Sequence, residues 1–167
     1  GSVVESVCDR IKNRTLAEDI LDADGNVVGN ETLNVQFAAD LTIEAFELEA
    51  TLPGNCTAVV IKVTNAAESA SWCLFDDFTL TQTAEPEPEA PAFEPVAVEL
   101  VNPDFEANPS EIVVPGWEAS GFGGWAVGTV CTTYPGNWHI TNQTLLFHKN
   151  SWASQKVENL VSGATYK

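Results

Sequence analysis

The stretch WCLFDDFTLTQ, residues 72–82, sets Trp72, Leu74, Phe78 and Leu80 on one parity of an extended chain. An apolar period of two marks a strand with one face in a core. The same period recurs upstream at Val59, Ile61 and Val63, and at Leu33, Val35 and Phe37, which alternate with Asn34 and Gln36. Residues 41–50 alternate too, but slip phase between Ala45 and Phe46, as a β-bulge would. Downstream, residues 96–101, 125–131, 145–149 and 153–160 read as strands, separated by Pro115-Gly116, Pro135-Gly136 and Ser162-Gly163. Asp24-Gly25-Asn26 and Pro53-Gly54-Asn55 add turn signals at the spacing of an all-β chain. Residues 3–12, with Val4, Val7 and Ile11 on one face, form the only helical candidate. The expected fold is an all-β sandwich or jelly roll, with a barrel as the weaker alternative.

Residues 84–95, AEPEPEAPAFEP, interrupt this pattern. Alternating Pro and Glu favour an extended, self-repelling segment with little capacity for burial, which reads as a linker. It divides the chain into 1–83, with net charge -10, and 96–167, with net charge -3; the segment itself carries -4. The whole chain of 167 residues has 24 acidic and 7 basic side chains, a net charge of -17. Such a surface repels phosphate and anionic lipid, so neither nucleic acid nor membrane insertion is expected. Any export signal is expected to have been removed.

The segment LVNPDFEANPSEIVVPGWEAS, residues 100–120, is followed later by ASQKVENLVSGATYK, residues 153–167. Together they resemble the opening half of the carbohydrate-binding-module and galactose-binding-like jelly rolls: an Asn-Pro-x-Phe-Glu first strand, a Gly-Trp, then a Gln-x-Val strand and a Gly-x-x-Tyr turn. WCLFDDFTLTQ is similar to the closing strand of the same families. The resemblance covers roughly residues 33–83 and 98–167, with the closing half first. It implies a jelly-roll β-sandwich assembled from two half-domains, 1–83 and 96–167, joined by the Pro/Glu linker 84–95. Half a sandwich leaves strand edges and a sheet face open, so each half needs a complement. That complement is the other half of the same chain, a half from the next chain, or an adjacent module in a longer array. A 12-residue connection reaching up to ~40 Å permits the first, whereas the second is head-to-tail and propagates into a fibre.

The resemblance also implies a structural calcium near the first and last strands, carried onto Asp76 or Asp77 together with Glu106. Asp76 shares the parity of Trp72 and Leu80, so it is expected to point inward, where a carboxylate needs a partner. Asp22-Ala23-Asp24-Gly25-Asn26 lacks the later Gly and Glu of a calcium loop and reads as a hairpin turn. Trp117 matches a core position of these folds. Trp125, Tyr134 and Trp138 stand at turn-like positions with Asn137 and His139 beside them, and are the candidate stacking surfaces for a polysaccharide; Trp152 fits either role.

Four cysteines, Cys8, Cys56, Cys73 and Cys131, lack zinc spacing and read either as disulfide candidates, with three possible pairings, or as a set of buried thiols. Asn13, Asn30, Asn55 and Asn142 head Asn-x-Thr sequons. With the acidity and scarce lysine, these favour an extracellular glycoprotein. Neither His139 nor His148 adjoins a recognisable nucleophile, and no cofactor fingerprint is present, so no catalytic activity is expected. Two functions remain. The first is a structural protomer or repeat of a fibre or multidomain array, whose partners are copies of itself or adjacent modules. The alternative is a carbohydrate-binding module.

Overall fold

The computed structural model describes residues 2–6, 14–35, 42–65, 73–86, 93–108, 113–119, 129–132, 144–147 and 151–167. All regular structure among them is β-strand, and every pairing is antiparallel. One sheet contains, in chain order, β1 (Ser2–Ser6), β4 (Thr42–Phe46), β7 (Cys73–Asp76), β11 (Thr129–Thr132) and β12 (Thr144–Phe147), arranged β11-β12-β7-β1-β4. A second contains β2 (Arg14–Leu21), β3 (Val27–Asn34), β6 (Ala58–Asn65), β10 (Glu118–Ala119) and β13 (Ser151–Val157), in the order β10-β13-β6-β2-β3. The third sets β5 (Ala50–Thr51), β14 (Thr165–Tyr166), β8 (Leu80–Ala84) and β9 (Val96–Val98) side by side, in the order β5-β14-β8-β9.

Each sheet therefore mixes strands from both sides of the Pro/Glu segment. In the second, β6 and β13 pair over seven residues from Val59↔Val157 to Asn65↔Ser151. The segment itself joins neighbours, since β8 and β9 pair from Leu80↔Val98 to Gln82↔Val96. Among the described residues a core cluster runs through the sheets and their connections: Leu16, Val59 and Val63 join Phe75, Phe78 and Leu80 from the first stretch and Phe105, Trp117 and Tyr166 from the second.

Local chemistry accounts for much of this. Val59, Ile61 and Val63 are buried as their period requires. The β2–β3 hairpin turns where Asp24-Gly25-Asn26 stands: the Asp22 carboxylate accepts N–H bonds from Asp24 and Asn26 at 2.9 and 2.8 Å. Gly25 has φ of +84°, accessible to glycine without a Cβ penalty. Those bonds hold the Asp22 carboxyl below its usual range, chiefly through the Asn26 N–H.

Three expectations fail. Residues 2–6 form a strand paired with β4 and β7, not the start of a helix, and tertiary pairing outweighs a weak helical pattern there. The slip after Ala45 coincides with the end of β4, and β5 begins only at Ala50, so the strand breaks instead of bulging. Most consequential, residues 72–80 are not one strand. Asp77 adopts φ of +53°, β7 and β8 enter different sheets, and Phe75, assigned to the solvent parity, is fully buried. A left-handed residue resets the alternation, so the parity argument placing Asp76 inward does not carry across it.

Candidate functional site

The break at Asp77 builds a corner. The Phe78 N–H donates to Pro103 O at 3.0 Å, setting residues 77–79 against the loop after Leu100. That loop is closed by its own side chains. Asn102 Oδ1 accepts the Ala107 N–H at 3.0 Å, Asn102 Nδ2 donates to Asn108 Oδ1 at 2.7 Å, and Asn108 Nδ2 donates to Phe105 O at 2.7 Å. Asn102 and Phe105 both have positive φ, +48° and +56°. The turn so formed drives the Phe105 ring inward against Phe78 and Trp117, at centroid separations of 5.8 and 5.1 Å. Trp117 completes the trio 4.9 Å from Phe78 and donates its indole N–H to Asn102 O at 3.0 Å. Trp117 is thus a core residue, as expected.

Of the expected calcium ligands, Asp77 and Glu106 both lie exposed on the segments that meet at this corner, and the side chain of Asp76 lies outside the described residues. Their hard carboxylate oxygens suit calcium. The inward-facing oxygens of Asn102 and Phe105, however, already accept hydrogen bonds from the chain. Among the described residues no group of three or more His, Cys, Asp or Glu is placed to hold a metal.

Gln155, on β13, ties the corner to the sheet. Buried on the parity of Ala153 and Val157, it accepts the Val101 N–H at 3.0 Å and donates to Val101 O and Gly116 O at 2.7 and 3.1 Å. A buried amide satisfied on both ends fixes loop positions that apolar contacts alone would leave loose. Gly116 is required there: its φ is +85°, and a Cβ would fall 2.5 Å from Val101 Cγ1.

A second buried polar residue has the opposite character. Glu18, on β2 between Leu16 and Ile20 and opposite Ile61 of β6, is 4% exposed. Neither carboxyl oxygen has a hydrogen-bond partner among the described residues. It lines a cavity of about 20 Å³ walled by Leu48, Ile61, Phe78 and Leu80, with Lys167 at its margin. Burial raises its pKa from 4.5 to about 7; Glu31 and Glu49 add to the rise, and the chain's amino group opposes it. Sequence reasoning missed Glu18 because Leu16, Ala17, Ile20 and Leu21 bury both parities of β2, leaving no alternation to expose the misplaced acid. The available signal was Glu18 sharing the parity of Leu16 and Ile20.

Trp125, Tyr134, Asn137, Trp138, His139 and His148 lie outside the described residues, as do Asn13, Asn142 and Cys8. Trp152 is half-buried, on β13, with the Lys62 ammonium 4.7 Å from its ring centroid. Asn30 and Asn55 are exposed, Asn30 on the edge strand β3 and Asn55 in a turn with φ of +70°. Cys56 is buried and free, and β12 stands between the strands that carry Cys73 and Cys131. No family model matches this chain, and neither a curated protein nor a solved structure matches it significantly, so the jelly-roll resemblance gains no support from relatives.

Proposed function

We propose that this chain is a non-catalytic, extracellular jelly-roll module that serves as a structural unit of a fibre or multidomain array, its two halves complementing one another within or between chains. The observation that carries the reading is the mixing of strands across the Pro/Glu segment in all three sheets. A chain whose halves are mutually dependent, and joined by a segment rich in Pro and Glu, can exchange one half with a neighbour while keeping every native pairing. The exchange is head-to-tail and extends without limit unless a ring closes. The partners are then copies of this chain or modules beside it. The purified chain is expected to form polymers as its concentration rises, visible by electron microscopy and sedimentation. A folded, monodisperse monomer persisting at high concentration would sink the fibre reading.

The same proposal keeps calcium as a structural ion at the Asp77–Glu106 corner. Hard oxygens there would draw the two stretches together, and binding to the folded form alone raises stability by mass action. Millimolar calcium is expected to raise the melting temperature by roughly 5 °C, and the Asp77→Asn/Glu106→Gln double variant to lose the increment. Equal melting temperatures in calcium and in chelator would remove the ion from the account.

A further inference from the structure

Glu18 has the burial of a core residue and the chemistry of a surface one. Its carboxyl lies between the second and third sheets, where Leu16, Ile61 and Glu18 on one side face Leu48, Phe78 and Leu80 on the other. Gln155, on the same face of the sheet and on the other side of Ile61, has three hydrogen bonds. Glu18 has none from the described residues. A neutral carboxylic acid tolerates such a place far better than a carboxylate does, because the charge loses its hydration and gains nothing in return.

We propose that Glu18 is a protonation switch in the core: the module is tightly closed while this side chain keeps its proton, and the contact between the two sheets loosens when the proton leaves.

The charged groups around it modulate that response. Glu31 of β3 lies directly across from Glu18 in register. Glu47 and Glu49 flank Leu48 on the stretch after β4, and Thr83 donates to Glu49 at 3.3 Å. From β6 comes Ile61, whose neighbour Lys62 sits over Trp152. The segment Phe78, Thr79 and Leu80 brings no titratable group. The one described cation on the cavity wall, Lys167, has its ammonium 3.6 Å from Glu47. Burial is the main cause that moves its pKa to about 7; the chain's amino group opposes the rise, and Glu31 and Glu49 add to it. The cavity of about 20 Å³ has room for one water, too few to hydrate a carboxylate.

The direction follows from linkage. Between pH 4.5, where the unfolded carboxyl titrates, and about 7, the folded chain holds a proton that the unfolded chain has lost. Stability is therefore full at the acidic end and falls as pH rises through this window, the reverse of a salt-bridged carboxylate. The shift corresponds to somewhat under a hundredfold, about 70-fold, in the folding equilibrium between pH 5 and 8.

The test is denaturant unfolding of the full chain from pH 5 to 8, for the wild type and for Glu18→Gln, a neutral isostere. Glu31→Gln and Glu49→Gln serve as controls for general charge repulsion. The wild type is expected to lose about 70-fold in folding constant across this range. Glu18→Gln should remove most of that loss and exceed the wild type at pH 8, and the two controls should keep it. A Glu18→Leu variant covers the case in which the buried amide prevents folding, and should show the same flat profile. Independently, the Glu18 side-chain carboxyl followed by carbon NMR in the wild type should titrate near neutrality. An ordinary carboxylate midpoint, or a wild-type slope retained in Glu18→Gln or Glu18→Leu, overturns the proposal.

Discussion

Fragments 1–83 and 96–167, produced separately, are each expected to lack a cooperative unfolding transition, and to regain one on mixing. The reason lies in what each removes from the other. Without residues 96–167, β6 loses its seven-residue pairing with β13 and becomes a bare edge, while β5 and β8 lose the strand β14 that stands between them. The core loses Phe105, Trp117, Ala153, Val157, Leu160 and Tyr166 together. Conversely, the second stretch without the first retains only two separate two-stranded pairings among its described strands, β11 with β12 and the two-residue pairing of β10 with β13. A two-stranded ribbon is not independently stable in water. Near-ultraviolet circular dichroism and proton NMR dispersion measure the outcome. A dispersed spectrum or a sigmoidal melt from either piece alone would mean that it holds a core of its own. The mixing experiment also bears on assembly, since fragments that find each other in solution would do the same between whole chains.

Part of this architecture is legible in the sequence. Val59, Ile61 and Val63 alternate cleanly because β6 is flanked on both sides and has one face in the core. Asp24-Gly25 marks the hairpin because the turn needs a positive φ and an oxygen to cap its N–H groups, both encoded within five residues. What was not legible is non-local. Asp77 breaks a seemingly continuous strand because Phe78 pairs its N–H with Pro103 some 25 residues on, an interaction no period can announce. The Gln155 anchor is of the same kind: its position within a motif was visible, but its partners Val101 and Gly116 come from other segments. Glu18 was hidden for a different reason, since β2 buries apolar residues on both faces and the adjacent acids Glu18 and Asp19 in TLAEDIL, residues 15–21, read together as surface charge. The exposed candidates, Asp77 and Glu106, were approached through a resemblance, and the structure brings their segments together through packing of Phe78 on Phe105.

Phe105→Ala is expected to cost about 3–5 kcal/mol of folding free energy. Phe105 is fully buried and sits at the meeting of the two stretches, edge-on to Phe78 from the first and tilted against Trp117 from the second. Alanine removes the ring but leaves the backbone at φ of +56°, a region that L side chains occupy at a cost of roughly 1–2 kcal/mol. In the native chain the ring's burial offsets that cost, and in the variant nothing does. The closing bonds of the loop, from Asn108 Nδ2 to Phe105 O and from the Phe105 N–H to Asn102 O, then hold a turn with no anchor beneath it. Two comparisons separate ring from backbone. Phe105→Leu, which keeps apolar volume, should lose markedly less than the alanine variant. Phe105→Gly, which removes the strain with the ring, should not fall much below alanine, despite the greater freedom of an unfolded glycine. A double-variant cycle with Trp117→Phe should give a coupling of about 0.5–1.5 kcal/mol, as expected for packed aromatic rings. Urea denaturation measures all four, and a Phe105→Ala loss below about 1 kcal/mol would place the ring outside the core and undo the corner on which the joining of the two stretches depends.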